Sequence, residues 1–269
     1  MRFDTIRLIG LDTVDLPIIG ASPSNPYICK NVDGLGPTEV DVSISNTLYQ
    51  GGIRQGRRPQ LRQIIARVGL NPDWSTGETA SDLRDSLYGL LSNDNGDLAE
   101  VHLMDGANVA AKTSGDVSKV EIVPFSKTPE VQLTIDCTQP YLEAEDPITT
   151  STLDKVNTVV DNVGSHPTGF YVEVTLTSNL SSWAFRNDDL SKEMLITYSL
   201  LSGDKILFDT NPGSRSIKIN RSSTITDMLP YLSNTSEWLM MHKGVNTFHP
   251  SSSAFNWNAF TYTPKYRGI

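Results

Sequence analysis

Apolar and polar residues alternate along most of the chain, and one stretch departs from the alternation. In residues 70–91, Leu83, Leu87, Leu90 and Leu91 fall at i, i+4, i+7 and i+8, which is one stripe of a helix. Asn71-Pro72 ends whatever precedes it, because proline lacks a donor and restricts its neighbour. Thr79 or Ser81 can cap the first turn, and Asp82 and Asp85 place negative charge at the positive end of the helix dipole. The pattern predicts one helix near 80–92. Leu83, Leu87 and Leu91 are expected in its core, with Trp74 covering the start of the stripe.

The remainder reads as strands and turns. Val40, Val42 and Ile44 alternate with Asp41, Ser43 and Ser45, predicting a half-buried strand. Leu61 to Val68 predicts another, with Arg62, Ile64, Ala66 and Val68 on one side. Val117–Phe125 and Val131–Ile135 read as a pair joined through Lys127-Thr128-Pro129. Ser92 to Asp97 is a tight polar turn. Residues 143–152, acidic and then rich in Pro and Thr, have the composition of an exposed connection. Beyond it the alternation is cleaner. Phe170, Val172, Val174 and Leu176 share a face, Gly203-Asp204 signals a hairpin, and Asn211–Ser214 signals another turn. Met228–Leu232 reads as one helical turn, and Trp238–Phe248 as two strands about Lys243-Gly244. Strands at this spacing predict a β-sandwich.

Composition narrows the function classes. A net charge of −9 over 269 residues argues against general nucleic-acid binding, which needs a basic footprint, so no sequence-specific nucleic-acid partner is expected and a protein partner is favoured. No apolar run reaches the ~18 residues of a spanning helix, and Met1-Arg2-Phe3-Asp4 does not resemble a signal peptide, so cytosolic synthesis and no membrane partner are expected. Cys29 and Cys137 are expected to be buried free thiols. One local exception to the acidity is the run Arg54, Arg57, Arg58, Arg62 and Arg67. It can form a phosphate patch, meet the acidic face of a neighbouring subunit, face a lumen through which DNA passes, or only meet solvent.

The search for chemistry finds no catalytic, cofactor or metal residues. Gly34-Leu35-Gly36-Pro37-Thr38-Glu39 starts like a dinucleotide loop, but Glu39 stands where the third glycine belongs. Phosphate-loop and nucleophile-elbow motifs are absent. His102, His166, His242 and His249 have no ligand spacing, and Asn95-Gly96 fails as a calcium loop because Leu91 and His102 occupy its acidic positions.

Four stretches together resemble the distal tail proteins of long-tailed siphophages. They are Asn71–Leu91, Arg57-Arg58-Pro59-Gln60-Leu61, Trp238–Phe248 and Tyr262–Ile269. The resemblance implies a mainly β protein: a β-barrel-like ring domain with one helix over residues 1–145, and a galectin-like β-sandwich over 146–269. It leaves open that the last strand returns toward the first domain. It further implies a homohexameric ring at the virion tail tip, assembled in the host cytoplasm. Such a ring joins the tail tube to the baseplate and anchors receptor-binding or fibre proteins. A carbohydrate-binding module is the alternative it leaves. Trp183, Trp238 and Trp257 could stack on sugars, but the galectin pattern H-x-N-x-R is absent, since Pro167-Thr168 follows His166.

Overall fold

The computed structural model describes residues 3–9, 13–18, 22, 24–46, 52–91, 99–122, 129–151 and 153–269. The turn at Ser92–Asp97, most of the connection at Lys127–Pro129 and the end of the Val117–Phe125 strand lie outside them. The chain is 57% strand and 6% helix, mainly β with one α-helix among the described residues. Its contacts separate two compact units, residues 1–145 with 266–269, and residues 146–265.

The first unit contains β1 (Thr5–Ile9), β2 (Thr13–Pro17), β3 (Tyr27–Asp33), β4 (Val40–Asn46), β5 (Gly52–Pro59) and β6 (Gln63–Leu70). There follow α1 (Ala80–Leu91), β7 (Ala99–Asp105), β8 (Asn108–Ile122), β9 (Glu130–Cys137) and β10 (Leu142–Glu143). The main sheet has the order β2-β1-β7-β8-β9-β6-β3, with β10 also on β8. It is not closed into a barrel by a ladder between β2 and β3 among the described residues. Period-2 alternation decides its buried face: Ile6 and Leu8 of β1, Ile64, Ala66 and Val68 of β6, and Val131, Leu133 and Ile135 of β9 form one core. Strands β8 and β9 pair as the alternation predicts, with Val117 opposite Ile135 and Val120 opposite Leu133. Strand β8 begins earlier than its apolar pattern suggests, because its first half pairs with β7.

The ribbon β4–β5 stands apart as a two-stranded sheet. The expectation of a half-buried β4 is therefore corrected. Val42 is 48% and Ile44 61% exposed, because β4 pairs only with β5 and has no covering layer among the described residues.

The second unit contains β11 (Ile148–Thr150), β12 (Thr158–Asn162), β13 (Tyr171–Leu176), β14 (Leu180–Asn187) and β15 (Lys192–Leu200). Strands β16 (Lys205–Asp209), β17 (Ser216–Arg221) and β18 (Thr224–Asp227) come next. The 3₁₀ turn η1 (Leu229–Tyr231), β19 (Gly244–Pro250) and β20 (Phe255–Tyr262) complete it. Two antiparallel sheets, β11-β20-β13-β16-β17-β18 and β12-β19-β14-β15, enclose one core, as in a β-sandwich. Its centre is aromatic. Phe170 stacks on Phe260 at 5.0 Å, Phe185 on Phe248 at 5.0 Å, and Trp183 lies 5.2 Å from Phe208.

Three local readings change. Gly203-Asp204 does not close a hairpin: β15 and β16 belong to different sheets, so this turn carries the chain from one layer to the other. The hairpin forms one turn later, where β16 pairs with β17 across Asn211–Ser214. Of Trp238–Phe248 only the part from Gly244 is a strand, while Met241 makes a single bridge to Thr168. The acidic connection is exposed at Glu145–Thr149, yet it also supplies β10 and β11 at its ends.

Candidate assembly surface

The helix region is built as a loop locked by its own side chains, followed by a capped helix. The Asp73 carboxylate accepts from the Ser75 backbone N–H at 2.9 Å and from its hydroxyl at 2.6 Å, while Glu78 accepts from the Asp73 N–H at 2.9 Å. Thr79 and Asp82 then cap reciprocally: the Thr79 N–H donates to Asp82 at 2.9 Å, and the Asp82 N–H donates to the Thr79 hydroxyl at 3.2 Å. These hydrogen bonds favour the charged carboxylates and hold both Asp73 and Asp82 below the usual carboxylate range.

Leu83 and Leu87 are buried against the first unit's sheet, and Leu91 packs at the edge of that core. The Leu90 side chain lies outside the description. Trp74 is a correction. It is 72% exposed, because the turn that Asp73 and Gly77 close lifts it away from the stripe. The stripe is covered instead by Tyr27 of β3, whose hydroxyl donates to the Leu83 carbonyl at 2.9 Å.

The five arginines do not make one patch. Arg57 and Arg58 are exposed on β5, opposite Val42 and Asp41 respectively. Arg54 also lies on β5, in register with Ile44, and its side chain is not described. Arg67 is exposed on β6, between Asn31 and Gln132 of the neighbouring strands. Arg62 leaves the surface set, being only 1% exposed. Its Nη1 donates to the carbonyls of Gly34 and Gly36, and its Nη2 to those of Pro140 at 3.2 Å and Arg267 at 2.8 Å. Burial lowers its pKa. The guanidinium thus ties the Gly34–Pro37 loop and the chain's last residues to the head of β6. Gly34 must be glycine there, with φ +89° and a Cβ position that would fall on the Gln63 carbonyl.

No grouping of three or more His, Cys, Asp or Glu is placed to hold a metal among the described residues. His102 pairs with Glu100 at 2.7 Å and His249 with Asp188 at 2.5 Å. Cys29 and Cys137 are both free and buried. Desolvation raises both thiols, that of Cys29 to about 11. Trp183 and Trp257 lie in the sandwich core, and Trp238 is half-buried beneath the Arg215 guanidinium at 5.5 Å. Of the three tryptophans that could stack on sugar, two are therefore unavailable.

Residues 163–266 match the family model described as the siphovirus-type tail component, C-terminal domain. The chain is similar to the SPP1 Dit protein (gp 19.1), described as a paradigm of the hub adsorption apparatus in phages infecting Gram-positive bacteria. That likeness has a TM-score of 0.64 at 16% identity and covers 97% of this chain and 98% of that one. A weaker likeness, TM-score 0.46 at 10% identity over the whole of both chains, is to a component of the phage p2 baseplate in its activated conformation. No curated protein matches the chain. The resemblance to siphophage distal tail proteins thus stands on a family match in the second unit and a fold match over nearly the full length.

Proposed function

We propose that this chain, a tail component of siphovirus type through residues 163–266, is a structural protein that forms a ring at the distal end of a phage tail. The first unit supplies the ring, with six copies as the expected number. The ring joins the tail tube to the baseplate or tip, and the chain holds receptor-binding or fibre proteins there. The protein acts by position within an assembly, is not an enzyme, and is assembled in the host cytoplasm.

The observation that carries this reading is the family match over 163–266, on a chain whose fold follows the SPP1 hub protein across 97% of its length. The side chains support it. They serve architecture: the buried arginine holds four carbonyls, burial raises the two thiols, and two of the histidines are paired with carboxylates. The test is to label purified virions with antibody raised against the chain and image the tail tips. Label confined to the tip, at the tube–baseplate junction, is expected. Label on the capsid or along the whole tube, or none on the particle, overturns the reading.

A further inference from the structure

The ribbon β4–β5 poses a physical problem. A lone two-stranded ribbon is marginal in water, and this one has no third strand or covering layer among the described residues. Asp41, Val42, Ser43 and Ile44 are all exposed, so both faces of β4 meet solvent. Directly opposed residues of an antiparallel pair share a face, which sets Val42 beside Arg57. That face is therefore apolar and cationic together. Residues 40–59 carry three arginines and one carboxylate in a chain of net charge −9.

The same unit holds a surface of the opposite character. Trp74 stands exposed on its turn, and residues 73–85 carry Asp73, Glu78, Asp82 and Asp85 against Arg84 alone. Arg84 is already engaged with Asp85 and the Ser81 hydroxyl. Asp73, Glu78 and Asp82 have no cationic partner among the described residues.

We propose that the β4–β5 ribbon of one copy docks on the Trp74 turn and adjoining helix of a second copy, setting Val42, Ile44 and Arg57 against Trp74 and its flanking carboxylates. This rests on the ring reading above. A ribbon-to-turn contact joins two different surfaces, so it is head-to-tail, and such contacts generate rings when the rotation closes. Arginine over an exposed tryptophan gains a cation–π attraction that strengthens when water is excluded. The opposed charges steer the encounter and fix its register. Nucleic-acid phosphate fits the ribbon less well, since Val42 and Ile44 lie among its arginines and phosphate offers them nothing apolar.

The test uses the full chain in two variants. The ribbon variant carries Arg57→Glu and Arg58→Glu. The turn variant carries Trp74→Lys and Asp85→Lys, which spare the Thr79–Asp82 cap. Both alter exposed side chains, and melting curves matching the unaltered chain check that they fold. Each variant alone is expected to need at least a tenfold higher concentration to assemble. Their mixture is expected to give a one-to-one dimer and nothing larger, because it retains one intact ribbon and one intact turn. If the unaltered chain forms rings and the ribbon variant does so equally well, or if the mixture stays monomeric, this docking is overturned and the ring reading survives. Normal assembly of the ribbon variant with loss of random-sequence duplex DNA binding at low salt overturns it in favour of a phosphate-facing ribbon. An unaltered chain that stays monomeric at the highest concentration, with no ring of it in purified virions, overturns both.

Discussion

Arg62 shows how a single position can be read correctly and then misassigned. The alternation placed it on one side with Ile64, Ala66 and Val68, which is the buried face of β6. Its charge suggested the surface. The fold resolves the conflict with four backbone carbonyls, which take the Nη1 and Nη2 hydrogens of the buried guanidinium in place of a carboxylate and leave its Nε without a partner. Those partners come from residues 34–36, 140 and 267, so no local pattern could announce them. Arg62→Ala removes the hydrogen bonds to four carbonyls borne by exposed or half-buried residues and empties the guanidinium's buried site, and is expected to destabilise the chain by about 1–3 kcal/mol. Denaturant unfolding measures it, and a loss below about 0.5 kcal/mol would mean the cradle is not structural.

Asp204 makes a second prediction at this scale. It is buried, and its carboxylate accepts two hydrogen bonds from Arg221, at 2.6 and 2.8 Å, and one from the Leu201 N–H at 2.8 Å. The Arg221 hydrogen bonds, first among the causes, hold its pKa below the usual carboxylate value. A depressed folded-state pKa contributes stability that is present above the unfolded value, about 3.9, and is lost as pH falls through the lower folded value. Stability of the chain should therefore drop below about pH 4, and Asp204→Asn should flatten part of that drop while lowering stability at neutral pH. Thermal melts between pH 3 and 7 test it. An unchanged acid slope in the variant would remove Asp204 from the account.

At the scale of elements, the helix was legible because capping, dipole and stripe agree within a dozen residues. Thr79→Ala removes half the cap and is expected to cost about 1 kcal/mol. Leu87→Ala, at a fully buried position in the stripe, is expected to cost about 2–5 kcal/mol. Equal effects from the two, measured by denaturant, would contradict the division between an exposed cap and a buried stripe. Trp74 was misplaced because its burial depends on how a turn aims it, and Asp73 closes that turn through side-chain bonds. The β4 strand was found by its alternation, but alternation cannot say whether anything lies on the apolar face. The Gly203-Asp204 turn was found too, and its partners were not, since sheet membership depends on residues far along the chain.

At the scale of the molecule, the mainly β class with a single helix and a sandwich in the second half could be read from spacing and turns. The tail-protein resemblance rested on short stretches spread across the chain, and a family match over 163–266 with a full-length fold likeness now supports it. The proposed ring would be a property of several copies together, which one chain's pattern does not spell out; the uncovered ribbon and the exposed Trp74 are where the proposed contact would form. Native mass measurement of the purified full chain across a concentration series tests the central claim most directly. The account predicts one closed species at six times the 29.6 kDa chain. A strictly monomeric chain at the highest concentration, with no ring of it in purified virions, would contradict it.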